Sequence, residues 1–230
     1  MGIRAINNSA AAFDDPYANT GHGAGGLQTA PPEEITWVGQ RGIIGGGYYN
    51  SDLDSIEYVN IPVNSDSPDF GNLTGSRRNI GGCSNGTRGV FGGGEPSTNV
   101  MDYITIATVG DAQDFGDMQN ARSGPGVTSN NTRGIIAGGS TGSASNIIGY
   151  INIASTSAAQ DFGDLTTARY GNAACSNGNR GLVWGGETGG AGSNVDTIDF
   201  VVISTAGDAT DFGNMSSDRH VGASFSGGGY

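Results

Sequence analysis

Asn50, Asp52, Asp54 and Glu57 set hard oxygen donors close together in one short segment, and calcium prefers donors of this type because several carboxylate and carbonyl oxygens can converge on it. The segment lacks the turn glycine and the distal bidentate Glu of a calcium loop, so it reads as an acidic solvated loop and no metal site is expected. His22 and His220 are the two histidines, too few for the His and Tyr ligand set of a copper oxidase and unaccompanied by a nucleophile at a marked spacing. Cys83 and Cys175 are remote from each other and from any CxxC spacing, which leaves no zinc site and no disulfide framework to expect. All 10 basic residues are arginine, so the phosphate-loop lysine, the Schiff-base lysine and the kinase strand lysine are missing. Gly21-His22-Gly23-Ala24-Gly25-Gly26 spells a dinucleotide fingerprint, but it neither follows a strand nor opens a helix. No cofactor is expected. The 22 acidic residues keep a carboxylate-pair glycosidase open as an alternative, although no pair is marked by spacing.

The charge balance narrows the partners. A formal net charge of −12 with no lysine is poorly suited to phosphate backbones, so no nucleic acid is expected as a partner. Apolar stretches are only a few residues long, and MGIRAINNSA lacks the charged-then-apolar layout of a secretory signal. The expectation is a chain made in the cytoplasm with no membrane insertion. Glycine contributes 43 of 230 residues and follows no three-residue period, which rules out collagen.

The elements that position these side chains come from an internal repeat. Arg-Gly recurs at Arg41, Arg88, Arg133 and Arg180, at intervals of 47, 45 and 47 residues, each followed by a glycine pair. An aromatic comes next (Tyr58, Tyr103, Tyr150, Phe200), with an isoleucine three residues on, in stretches rich in β-branched residues that predict strands. Twelve residues past each aromatic stands the Phe of Asp-Phe-Gly: Asp69-Phe70, Asp114-Phe115, Asp161-Phe162 and Asp211-Phe212. Seven further stands an arginine: Arg77, Arg122, Arg169 and Arg219. These arginines read as structural, each pairing with an Asp or capping backbone carbonyls between repeats, in preference to a ring that binds an anionic ligand such as a sialic acid. Cys83 and Cys175 share a repeat position with Thr128 and Phe225, which marks a packing site in an inner strand.

Only the interval between the glycine pair and the aromatic changes length, so 48–57, 95–102, 140–149 and 187–199 are the expected surface loops and the expected binding face. The candidate binding residues there are Tyr48, Tyr49, Asp52, Asp54, Glu95, Asn99, Asn146, Glu187 and Asn194; no catalytic residue is assigned. Tyr48, Tyr49 and Trp184 offer faces for sugar stacking, with packing between repeats as the competing role. Residues 1–40 belong to no repeat. They are rich in Ala, Gly and Asn, and they read as an extended attachment arm ahead of a repeat domain at 41–230.

The order of strand, glycine pair, tyrosine, second aromatic and arginine, as in DFGDLTTARYGNAACSNGNRGLVWGG, resembles the kelch-type β-propeller family over about 41–230. The resemblance implies an all-β propeller of four blades of about 47 residues, with the loops after the glycine pairs on the ligand face. The segment RHVGASFSGGG, after the fourth repeat, is expected to supply the strand that the first repeat lacks and so to close the ring. Two departures stand out: Phe replaces the usual Trp of the family, and four repeats are fewer than its usual number of blades. The wording Asp-Phe-Gly, Ser-Asn-Gly and Arg-Gly in a lysine-free chain is also similar to kelch-like structural proteins of tailed bacteriophage particles. It implies a non-enzymatic virion protein in a tail, fibre, neck or capsid, held to other virion proteins through residues 1–40 within a homo- or hetero-oligomeric assembly. Host surface glycan is the expected ligand of the loops. The alternatives are an intracellular kelch-type module that recruits a protein and a glycan-cleaving enzyme that uses loop carboxylates.

Overall fold

The computed structural model describes residues 40–190, 192–220 and 222–224. The chain divides into two units, Met1–Trp37 and Val38–Tyr230, and the first, which holds most of the expected arm, lies outside the described residues. The second unit is all-β. Its first sheet is three-stranded, ordering β1 (Arg41–Gly45), β4 (Ser55–Asn60) and β5 (Asp69–Asn72), with a small hairpin of β2 (Tyr48–Tyr49) and β3 (Ser51–Asp52) between β1 and β4 in sequence. The second sheet orders β6 (Gly81–Ser84), β7 (Arg88–Gly92), β8 (Thr98–Thr105) and β9 (Gln113–Arg122). β10 (Gly126–Ser129), β11 (Arg133–Ala137), β12 (Ser145–Asn152) and β13 (Gln160–Arg169) form the third. The fourth comprises β14 (Ala173–Ser176), β15 (Arg180–Trp184), β16 (Thr197–Val202) and β17 (Thr210–Asn214). Every pairing is antiparallel, and in the three four-stranded sheets it joins neighbours in sequence, so each of those sheets is a meander. Each complete sheet takes its first strand from the end of one repeat and its other three from the next.

Asp-Phe-Gly owes its recurrence to a β-bulge. Met101 faces Gly116 and Asp102 faces Asp114, so Phe115 is the extra residue of the ladder; Phe70, Phe162 and Phe212 are skipped in the same way. The bulge turns the ring out of its own sheet. Each Phe lies edge-on to the aromatic of its repeat at 6.0–6.1 Å between ring centres. The following glycine adopts a left-handed φ of 144°, 126° and 142° at Gly71, Gly116 and Gly163, and a Cβ there would fall 2.5–2.6 Å from the backbone of Gly110, Ser157 and Gly207 in the next repeat. Glycine is required because two backbones meet.

Hydrophobic layers lie between consecutive sheets. Ile56, Phe70 and Leu73 of the first sheet pack with Phe91, Ile104 and Ala112 of the second. Val90, Met101, Phe115 and Met118 then pack with Ile136, Ile151 and Ile153 of the third. Ile135, Ile148, Phe162 and Leu165 pack with Val183, Val201 and Ile203 of the fourth. Backbone ties fix the register of these layers. Gly110 N–H donates to Phe70 O (2.7 Å) and Gly207 N–H to Phe162 O (2.6 Å), while Ala112, Ala159 and Ala209 donate to Asn72, Asp117 and Asp164.

Arg77, Arg122 and Arg169, which close the first three repeats, are buried between sheets, and the aspartates of Asp-Phe-Gly are not their partners. Arg77 meets Asp102 at 2.6 Å and Arg169 meets Asp199 at 2.5 Å, and all four side chains are almost wholly enclosed. Asp69, Asp114, Asp161 and Asp211 are exposed instead, and Asp114 and Asp211 each accept the N–H two residues on. The physical reason is strand alternation: Asp102 and Asp199 lie in the third strand of their sheets on the face toward the preceding sheet, where Arg77 and Arg169 are. Arg122 faces Gly149 at the equivalent place and donates to Gly138 O and Ile147 O (3.0 and 2.8 Å). Burial lowers its pKa to about 10. Arg41, Arg88 and Arg133 lie over Tyr58, Tyr103 and Tyr150 at 4.2–4.5 Å and donate to the carbonyls of Ile106, Ile153 and Ile203 in the next repeat.

The strand expected to complete the first sheet falls on the chain's last residues, of which Val221 and 225–230 lie outside the described residues. Ser224 Oγ donates to Ala174 O at 2.6 Å, and among the described residues β1 pairs with β4 alone.

Two outcomes follow for stability. Asp199→Ala strands a buried guanidinium and removes two bonds to Thr166, and it is expected to cost about 3 kcal/mol in denaturant melts. The paired change Gln119→Thr with Gly149→Asp copies the Thr166, Asp199 and Arg169 arrangement around Arg122, whose Nε and Nη2 lack partners, and is expected to raise stability by about 1 kcal/mol.

Candidate functional site

The loop segments begin where each glycine pair turns the chain out of its sheet. The first glycine of every pair has φ of 61–70°, and a Cβ there would lie 2.6 Å from the carbonyl oxygen of Arg77, Arg122, Arg169 or Arg219. The residue after the pair sits beside the residue that follows the arginine of the preceding repeat. Arg78 bridges to Glu95, Ser123 to Ser140 and Tyr170 to Glu187 through their backbones.

Side chains that differ between repeats decorate this constant frame. Arg78 joins Asp52 (2.7 Å) to Glu95 (2.6 Å), and its guanidinium lies 5.2 Å from the Tyr48 ring centre. Its pKa is raised, mainly by the hydrogen bond it donates to Asp52. Tyr170 Oη donates to Glu187 Oε2 at 2.5 Å, which raises the phenol's pKa. His220 Nδ1 lies 2.8 Å from Asn194 Oδ1 and 3.4 Å from Glu187. A cleft of about 440 Å³ runs past Glu95, Ser140, Tyr170, Asn172 and His220. Tyr48 and Tyr49 stand on the hairpin, 63% and 75% exposed, with Asn50 in a left-handed turn (φ 59°).

The expected binding residues are thus divided. Tyr48, Asp52 and Glu95 form one group through Arg78, and Glu187 and Asn194 form another through Tyr170 and His220. Asp54 is exposed and stands apart from both. Asn99 and Asn146 fall inside β8 and β12, because those strands begin at Thr98 and Ser145, so 95–102 and 140–149 are shorter as loops than the interval suggests. Arg78 and Tyr170 escaped notice, and His220 was not joined to the loops, because the position after the repeat arginine changes in every copy. The calcium arrangement does not assemble: Asp52 is held by Arg78 and Glu57 by Ser67, and among the described residues no cluster of three metal-ligating side chains occurs. No described helix is long and apolar enough to cross a membrane.

Cys83 and Cys175 are free thiols in β6 and β14. Cys83 Sγ lies where a Cβ on Gly134 would be 2.7 Å away, in the contact between the second and third sheets, and burial pushes its pKa up to about 12. No family model matches the chain, and no curated protein matches it significantly.

At pH 8 the thiolate fraction of Cys83 is about a thousandfold below that of an ordinary thiol. Alkylation followed by mass spectrometry is expected to label Cys175 ahead of Cys83 in the folded chain, with equal labelling after unfolding.

Proposed function

We propose that the four sheets are consecutive blades of a kelch-like propeller and that the protein is a non-enzymatic component of a phage virion. Residues 1–40 attach it to other virion proteins, and the loops after the glycine pairs engage host surface glycan. One observation carries the binding role: contacts between repeats recur almost unchanged from copy to copy, whereas the glycine-pair loops change in length and in chemistry, from the exposed Tyr48-Tyr49 hairpin to the Glu187 and His220 cluster. Exposed tyrosines suit pyranose rings, and the neighbouring Asp52, Arg78 and Glu95 supply donors and acceptors for hydroxyls. Placement in a virion rests on the wording of the repeat and its resemblance to phage structural proteins.

Titration of the full chain onto a panel of bacterial surface polysaccharides tests this function. Saturable binding that Tyr49→Ala weakens about tenfold, equivalent to ~1.4 kcal/mol of stacking, is expected without release of reducing ends. Release of reducing ends that a single Asp or Glu substitution abolishes would move the glycan-cleaving alternative ahead, and absence of binding across the panel would remove the glycan role.

A further inference from the structure

We propose that the free faces of the first and fourth sheets are two halves of one more inter-sheet interface, completed head to tail by a second copy of this chain. Each internal interface joins a forward half, from the earlier sheet, to a backward half, from the later one. The fourth sheet carries an unused forward half. Phe212 is 52% exposed where Phe70, Phe115 and Phe162 are buried, and a Cβ on Gly213 would meet nothing within 4 Å. Arg219 is exposed where Arg77, Arg122 and Arg169 are buried. Arg180 stacks on Phe200 but reaches no isoleucine carbonyl, unlike Arg41, Arg88 and Arg133.

The first sheet carries the matching backward half. Ile61, equivalent to the fully buried Ile153 and Ile203, is 68% exposed, and Ile44 is 54% exposed. Glu57 occupies the position of Asp102 and Asp199, so it is the counter-charge that Arg219 lacks. Asp66 occupies the position of Asp111 and Asp208, whose carboxylates accept the N–H of Asn72 and Asp164. Asn214 is the residue left to donate to it. Apolar area, opposite charge and backbone register therefore agree on one pairing.

The occupant is a second copy because, among the described residues, the chain makes none of these contacts with itself, although both halves are folded. The surfaces differ from each other, so the contact is heterologous, and two copies that join at both ends close into a ring of eight sheets. This inference rests on the repeat contacts and is independent of glycan binding.

Sedimentation velocity of the full chain at tens of micromolar tests it. The 23.2 kDa chain is expected to run as a dimer or larger closed species, whereas Phe212→Asp, Arg219→Glu and Glu57→Arg each run as monomers with unchanged circular dichroism. Equimolar Arg219→Glu and Glu57→Arg chains are expected to regain the larger species, since one seam is then native and the other a reversed ion pair. A monomeric wild type, or variants that keep its size, overturns the proposal. In the monomeric case, oxidation of Asp66→Cys/Asn214→Cys to a disulfide within one chain would show that the sheets close on themselves.

Discussion

Each sheet has four short strands at most, and such a sheet cannot bury its own apolar face, so the hydrophobic material of this protein lies between sheets. Phe115 illustrates the constraint: it belongs to the second sheet, yet it is enclosed by Ile136, Ile151 and Ile153 of the third. Stability is therefore a property of neighbouring pairs, and a repeat of about 47 residues gains its core only when the next repeat arrives.

The bulge makes such a stack feasible with a single motif. Side chains alternate between the two faces of a ladder, and the bulge interrupts that alternation at one residue of the last strand. Inserting Phe115 opposite the step from Met101 to Asp102 separates the faces by chemistry. The aromatic goes forward into an apolar layer, and the carboxylate of the middle strand goes back to Arg77. Polarity along the array follows, and with it the difference between the exposed surfaces at its two ends.

Much of this was legible in the sequence because invariant positions at fixed intervals report what every repeat needs. Arg41 with Tyr58, Tyr58 with Phe70, and the glycine pair all belong to that class. The ion pairs did not, because the carboxylate position reads Glu57, Asp102, Gly149 and Asp199, and a search for constant residues passes over it. The constant aspartates of Asp-Phe-Gly are not the partners, and Asp114 and Asp211 serve the turn of their own strand. The correlated change was present: Thr74 accompanies Asp102 and Thr166 accompanies Asp199, whereas Gln119 accompanies Gly149. The loop cluster was hidden for a related reason. Its centres, Arg78, Tyr170 and His220, vary at a single position and become neighbours of Glu95, Glu187 and Asn194 only through the fold.

Arg122 separates the two roles that the buried repeat arginines take, carbonyl capping and ion pairing. It is fully buried without a carboxylate, and its pKa of about 10 still leaves it charged at neutral pH, so carbonyl oxygens alone must compensate the charge. Arg169 makes bonds of the same kind to Thr197 O and Val183 O, in addition to Asp199. Arg122 and Arg169 thus share the capping of carbonyls in the neighbouring sheet, and Arg77 and Arg169 share an ion pair with an acid of that sheet. The middle interface dispenses with the acid but keeps its apolar layer and the bond from Ala159 to Asp117. Register between sheets thus depends on backbone contacts and the glycine that permits them, and the charges tighten an arrangement that is already fixed.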